Sequence, residues 1–407
     1  METRRLLEPD IIRLWVIGGT NNVVRWLELL AAALFTYELT HSGLVVAAVT
    51  AARTLPMLMF GAFAGVLTEA VDRKRIMLTG MLITASTSAM LCALALLALV
   101  EPWHIGLANF VCGTVWSTEM SSRRRMVGDR AAPSLLARVI AVDSLAGATT
   151  RMIGPLLGGV VYDQVGLRGA YAITLALSLM NFALAWPLFH RQVSRRLSIA
   201  GAARDLLDGV RSAIAIPQVL AVLAVTIAMN AFVFCYSALV APIALTLFGV
   251  GNSEVGFLGA AESAGALIAG LALTRGTPPI PPRTMMIGGS ALFATTLILM
   301  PFVPGFWLAC LVLLAGGTGT AAFSNMQTML VLNGAPPAMR SRMLGLITVC
   351  IGTGPLGQLL AGGLADTFGL RPAIEMVACT GLVTILAIGV VWGRSEQKDE
   401  GEQGSAG

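Results

Sequence analysis

The sequence predicts an all-α membrane protein of twelve transmembrane helices arranged as two six-helix, pseudo-symmetric bundles. Three observations predict it. Apolar runs of about 20 residues, long enough to cross a bilayer, recur along the chain. Of its 407 residues 56% are hydrophobic and 12% charged, about half the charge of an average soluble domain. The chain also writes one phrase twice: Gly158-Gly159, Asp163, Gly166-Leu167-Arg168 and Ala170 return as Gly362-Gly363, Asp366, Gly369-Leu370-Arg371 and Ala373. Gly154-Pro155-Leu156 is echoed by Gly354-Pro355-Leu356, and Arg138 by Arg342. A duplicated half built almost wholly of apolar residues is the organisation of a secondary transporter made of two membrane bundles.

Taken in order, the first bundle (1–190) holds candidate spans at 13–37, 43–68, 76–99, 104–121, 135–161 and 169–189. A polar linker follows at 191–216, carrying Arg191, Arg195, Arg196, Arg204 and Arg211. Part of it reads as an amphipathic helix lying on the membrane. The second bundle (217–394) holds spans at 217–246, 252–274, 284–302, 305–332, 343–364 and 372–393, and 395–407 reads as a disordered cytoplasmic tail. Met1 to Asp10 is charged and no cleavable signal pattern follows it, so the first span is expected to direct insertion.

Arginine sets the orientation. Of the 27 lysines and arginines, only Arg168 and Arg371 fall on the outer side if both termini are cytoplasmic, and Arg25, Arg53 and Arg151 fall inside spans. That asymmetry satisfies the positive-inside rule, and predicts a multi-pass protein of the cytoplasmic (inner) membrane with both termini inside. The net charge of +5 is then a topology signal, and nothing resembles a nucleic-acid module. Cys92, Cys112, Cys235, Cys310, Cys350 and Cys379 lie in apolar runs, none as Cys-x-x-Cys, which suggests neither disulfides nor a metal site. His41, His104 and His190 sit in loops or at a span end and read as interfacial residues. Neither Lys74 nor Lys398 lies in a phosphate-binding loop, and no hydrolase or metalloprotease motif occurs. The chain reads as a non-enzyme without a cofactor, so pumping would borrow an ion gradient.

A charge at mid-bilayer costs several kcal/mol unless it meets a partner or a cavity, so the polar residues inside spans are informative. Spans 3, 9 and 12 have no interior charge and span 6 only Asn181, whereas spans 1, 2, 5 and 8 carry Arg25 and Glu28, Arg53, Asp143 and Arg151, and Glu262. Spans 7 and 10 carry Asn230, and Asn325 with Gln327. This pattern places every third span outside and the rest around a central cavity.

The loop after span 2, Gly65-Val66-Leu67-Thr68-Glu69-Ala70-Val71-Asp72-Arg73-Lys74-Arg75, resembles the signature loop of the major facilitator superfamily, with Glu69 where that family usually has Asp. Gly154-Pro155-x-x-Gly158-Gly159 resembles the core of the antiporter motif of its exporters, with Ala141 and Thr150 in place of upstream glycines. Arg25-Trp26-Leu27-Glu28, Arg53-x-Leu55-Pro56 and Arg151-Met152-Ile153-Gly154-Pro155 are similar to the branch of enterobactin exporters and related secretion and multidrug proteins. The resemblance covers all twelve spans. It implies alternating access, with a gate formed by Gly65, Glu69, Asp72, Arg73, Lys74 and Arg75 and an ion-tight seal at Gly154, Pro155, Gly158 and Gly159.

Physical reasons accompany each motif. Gly65 would admit close helix approach, and Glu69 would accept hydrogen bonds from the free N–H groups starting span 11, near Ser341 to Gly345. The Gly-Pro-Gly-Gly run would kink and thin span 5 against the other half. Asn21, Arg25 and Glu28 share one face of span 1, and Glu28 and Arg53 lie at a common depth of about 22 Å, which permits an ion pair. Glu28 is then either a clamped structural anion or, if released, a proton carrier. Asp143 shares a small-residue face with Gly147, Thr150 and Gly154, and Glu262 one with Gly259, Ser263 and Ala266. Glu119 and Arg123 read as an interfacial ion pair. Glu262, Glu28 and Asp143 are the proton-coupling candidates, and Asn21, Arg25, Arg53, Arg151, Asn230 and Asn325 the cavity and substrate candidates. The expected function is proton-coupled efflux of a small amphipathic molecule by a monomer in the lipid bilayer. An uptake permease or facilitator is the alternative, and a non-transporting receptor or scaffold a further one. Three interior arginines against Glu28, Asp143 and Glu262 leave the cavity near neutral, and protonating a carboxyl would favour an anionic or catechol-like cargo.

Overall fold

The computed structural model describes residues 8–130, 135–188, 199–276 and 280–405, all helices and connections without a strand. In hydrocarbon every backbone N–H and C=O must be satisfied within its own segment, which leaves the helix as the form such apolar runs take. The first bundle contains α1 (Pro9–Thr40), α2 (Gly43–Ala70), α3 (Arg73–Leu96) and α4 (Pro102–Arg130). The continuous stretch Leu136–Ala185 breaks at Gly166 (φ 64°, ψ −167°), dividing it into α5 (136–165) and α6 (167–185). Helix α7 (Ile199–Ile214) links the bundles. The second contains α8 (Pro217–Leu247), α9 (Asn252–Leu273), α10 (Pro282–Leu299), α11 (Phe306–Gly334), α12 (Arg340–Ile351 and Gly354–Phe368) and α13 (Leu370–Ser405).

Nine described stretches are long and apolar enough to cross a membrane, one of them spanning both α5 and α6. Counting α5 and α6 separately and adding the more polar α1 and α4 gives the twelve predicted spans. The repeat explains one boundary in each half: Gly166 and Gly369 (φ 89°) take a left-handed conformation that other residues rarely adopt, ending one span and starting the next with almost no loop. Asp72 caps α3, its carboxylate accepting from the Arg75 N–H at 2.9 Å.

Within each half, α1 packs on the α5/α6 stretch, α2 on α4, α9 on α11 and α10 on α11. The halves meet along two seams, α5 against α9 and α2 against α12. Exposed large apolar side chains such as Leu82 and Met90 on α3, Leu179 and Met180 on α6, and Val383 and Val390 on α13 face outward, as expected for lipid-facing spans.

Several expectations change. Helix α4 runs to Arg130 rather than 121, because its polar end is held by partners: Arg123 by Asp143, and Arg130 by Asp10 at 3.4 Å. Helix α8 is not uniformly α-helical, with π turns at Met229–Val233 and Ile243–Leu247 and a 3-10 stretch at Phe234–Leu239. Pro155 does not break α5; the break occurs in α12, at Gly352 and Thr353 just before Gly354-Pro355. Helix α7 docks on protein as well, with Gly209 packed on Leu346 and Arg342 of α12, while Leu207, Val210 and Ile214 stay exposed as an apolar stripe. The expected disordered tail at 395–407 continues α13 as helix to Ser405, since Glu396, Gln397, Lys398 and Glu400 are good helix formers. His190, linker residues 191–198, and the side chains of Arg138, Gly65, Glu69 and Ser341 lie outside the described residues.

Candidate functional site between the two bundles

The bundles are sealed at one end, and the duplicated phrase builds the seal. The Asp366 carboxylate, at the end of α12, accepts from the Ser42 hydroxyl at 2.5 Å, the Gly43 N–H at 2.6 Å and the Leu44 N–H at 3.3 Å, at the start of α2. Its repeat mate Asp163, at the end of α5, accepts from the Ser253 hydroxyl at 3.0 Å, at the start of α9. Each carboxylate thus meets the positive end of a helix of the opposite half, a favourable charge–dipole arrangement. Glu38 of α1 reinforces the α5/α9 seam, accepting from Tyr162 at 2.6 Å and from Asn252 at 3.0 Å.

Close glycine contacts continue both seams. A Cβ on Gly159 would lie 2.9 Å from the carbonyl oxygens of Asn252 and Ser253, and one on Gly256 would lie 2.5 Å from the Pro155 carbonyl oxygen. A Cβ on Gly362 would lie 2.6 Å from the Ala47 Cβ. The predicted motif therefore divides its labour. Pro155 and Gly159 face α9, whereas Gly154 and Gly158 face α1, where added Cβ atoms would meet Trp26 at 2.5 Å and Leu30 at 3.2 Å.

One helical turn beyond the contact of Pro155 with Gly259, the seam carries charge. Arg151 is exposed and Glu262 half-buried. At 1.5 Å rise per residue these two lie within about 2 Å of one another in depth, because the helices are antiparallel. They form no ion pair; Tyr236 of α8 donates its hydroxyl to the Glu262 carboxylate at 2.9 Å. Arg25 joins them from α1. Its guanidinium stacks 3.9 Å from the Trp116 ring centroid and 5.1 Å from that of Trp26, and its buried Nε has no hydrogen-bond partner.

The Glu28–Arg53 pair expected from depth is present: the Arg53 guanidinium donates to Glu28 at 2.9 Å, with the two side chains only 3% and 5% exposed, and Ser88 donates to the other oxygen at 3.1 Å. This contact commits Glu28 to Arg53 in the described state. Asp143 departs from expectation, because its carboxylate is buried in an ion pair with Arg123 rather than standing on a small-residue wall. Arg123 is correspondingly not the partner of Glu119, which accepts instead from Asn21. Asn21 also accepts from Asn181 at 2.6 Å, and Thr20 donates to Asn181 at 2.5 Å, tying α1, α4 and α6 together. Asn230 and Asn325 bond to carbonyls of their own helices at 2.9 and 2.8 Å, and the structure does not bring them into the charged cluster. Of the gate residues, Asp72 caps α3 and Arg73 pairs with Asp129 at 2.5 Å. His41 ends α1 and His104 accepts from the Glu101 N–H at 3.0 Å, so both are local.

Sequence reasoning missed Trp116 and Tyr236, whose partners lie on other helices, and the sealing role of Asp163 and Asp366, for which the repeat itself was the available signal.

Two six-helix bundles joined by one linker helix, meeting along two seams with charged residues between them, define a membrane transporter of the major facilitator class. Residues 7–403 match the family model MFS_3, transmembrane secretion effector, and the chain belongs to that family. Among characterised relatives, the chain is 28% identical over 255 residues to the multidrug resistance protein MdtG of Yersinia enterocolitica, covering 60% of this chain and 58% of that protein. It is 25% identical over 263 residues to MdtG of Escherichia fergusonii, covering 60% of each. The aligned part thus spans about three fifths of these relatives. Among solved structures, a bacterial homologue of the human lysosomal transporter Spinster, inward-facing and unoccupied, has a TM-score of 0.76 at 16% identity over 96% of this chain and 97% of that one. A point mutant of the nucleoside transporter NupG has a TM-score of 0.71 at 16% identity over 93% of this chain and 98% of that one.

Proposed function

We propose that this protein is a proton-coupled exporter of a small amphipathic molecule, acting as a monomer by alternating access in the cytoplasmic membrane, with both termini inside. In that orientation the Asp163 and Asp366 seals lie at the outer face and the described state is inward-facing. The observation that carries the reading is Glu262. It is an interior carboxylate at the bundle interface that has no ion pair among the described residues, and it sits one turn beyond the Pro155–Gly259 contact of α5 with α9. The groups facing it are the Tyr236 hydroxyl, the Thr320 hydroxyl and Arg151. A carboxylate so placed can exchange a proton with one side of the membrane, and then with the other once the bundles rock. The multidrug resistance relatives support export as the direction.

Everted membrane vesicles test it. With a respiration-driven proton gradient reported by acridine orange, adding a transported amphiphile releases the gradient in wild type. Glu262→Gln, fixed neutral, is expected to abolish this response while retaining substrate binding and downhill exchange. Release at the wild-type rate in Glu262→Gln would overturn the reading, and substrate accumulation coupled to proton entry on the same side would mark an importer.

A further inference from the structure

The interior charges cancel in sum, four arginines against four carboxylates, but not in place. Glu28 is committed to Arg53 and Asp143 to Arg123, by direct ion pairs. Glu119, which receives its hydrogen bond from Asn21, lies beside Arg123. That leaves Arg25 and Arg151, neither with an ion pair or hydrogen bond among the described residues, against the one carboxylate of Glu262.

These cations share one level. The Trp26 side chain sits on Gly154, so α1 and α5 touch there; Arg25 precedes Trp26 by one residue and Arg151 precedes Gly154 by three. Because α1 and α5 run in the same direction, the two guanidinium-bearing positions lie within about 3 Å in depth. Glu262 is brought to that level by the Pro155–Gly259 contact. Stacking on Trp116 and Trp26 offsets part of the cost of holding the Arg25 guanidinium at mid-membrane. Stacking does not neutralise the charge, and Arg151 has no aromatic neighbour to stack on among the described contacts.

We infer that Arg25 and Arg151 together form the receptor for an anionic group on the transported molecule, whose apolar, preferably aromatic body lies against Trp116. This rests on the exporter reading and adds the substrate's chemistry to it. The bound anion would supply the second negative charge at the level of Arg25 and Arg151 and draw Arg151 away from Glu262, so cargo and Glu262 compete for one cation. A neutral or cationic amphiphile of the same shape would leave two like charges facing each other.

The test uses three probes that share one ring system: 2-naphthoate, 2-naphthamide and 2-naphthylmethylammonium, titrated calorimetrically into the purified full-length protein in detergent. Wild type is expected to bind naphthoate at least tenfold more tightly than the amide, with the ammonium weakest. Arg151→Gln, at an exposed position without partners, is expected to bring naphthoate and the amide within about twofold, and Arg151→Lys to restore part of the preference. Arg25→Lys, which keeps charge but loses the planar stack, is expected to weaken naphthoate and the amide together. Equal binding of the three probes by wild type, no naphthoate binding at millimolar concentration, or an unchanged preference in folded Arg151→Gln would each overturn the inference. The two proposals fail separately. Anion-selective binding without gradient-driven efflux would sink the exporter reading alone, and gradient-driven efflux of cargo without charge selectivity would sink this one alone.

Discussion

Glu28 and Arg53 hold each other at 2.9 Å with almost no exposure, so neither can be altered alone without stranding the other. Glu28→Gln is expected to destabilise the protein by about 3–5 kcal/mol, because an unpaired buried arginine remains. The measurement is the yield of monodisperse protein after membrane extraction, and the double variant Glu28→Gln with Arg53→Met should recover it. If Glu28→Gln folds at wild-type yield but fails to pump, the clamp assignment is wrong and Glu28 is the proton carrier. This pair was legible in the sequence because both residues stand at equal depth on consecutive antiparallel spans. The Arg123–Asp143 pair was not. Arg123 has Glu119 one turn away on its own helix, a local partner that sequence spacing favours, and only the packing of the bundle gives Arg123 to Asp143 and Glu119 to Asn21.

Helices α5 and α12 show what the sequence conceals one level up. Both carry Gly-Pro-Leu at matching places, yet α5 runs through Pro155 while α12 breaks before Pro355. Pro355 occupies the first turn of its segment, where a missing N–H costs nothing. Pro155 lies inside a helix pressed between α1 and α9, and that packing on two faces keeps the helix continuous through it. Identical tripeptides cannot announce which outcome applies. The glycine contacts were easier to foresee, since Gly159 has no function in a free helix but allows α9 to approach. Gly256→Val is accordingly expected to unseat the α5/α9 seam, because its Cβ would fall 2.5 Å from the Pro155 carbonyl oxygen. Overpacking costs roughly 1–3 kcal/mol, enough to move the balance between sealed and open states about five- to 150-fold. Spin labels at Leu99 and Phe302, on opposite halves, would report it as a population shifted to longer distances. An unchanged distance distribution would show that the seam does not hold the end closed.

For the whole molecule, the duplication announces two bundles and the apolar runs twelve spans, because a repeat offset of half the chain survives in the sequence. What the repeat does was hidden, since Asp366 and its partner Ser42 lie more than 300 residues apart. Charge-assisted hydrogen bonds contribute about 1.5–3 kcal/mol each, so the two aspartates dominate the seal. Asp163→Asn combined with Asp366→Asn is expected to favour the state open at that end, read as faster maleimide labelling of a cysteine introduced at Ala365. Labelling at the wild-type rate would remove the aspartates from the seal.

The two seams are chemically unequal. Asp366 draws two of its three bonds from main-chain amides, which no replacement on α2 other than proline can delete. Asp163 depends on one hydroxyl, that of Ser253. Random mutagenesis selected for a leaky membrane should therefore return hits on both aspartates and on Ser253, yet pass over Ser42. A duplicated gene has here placed one lock in the backbone, where mutation scarcely reaches it, and left the other in a side chain that a single base change can erase.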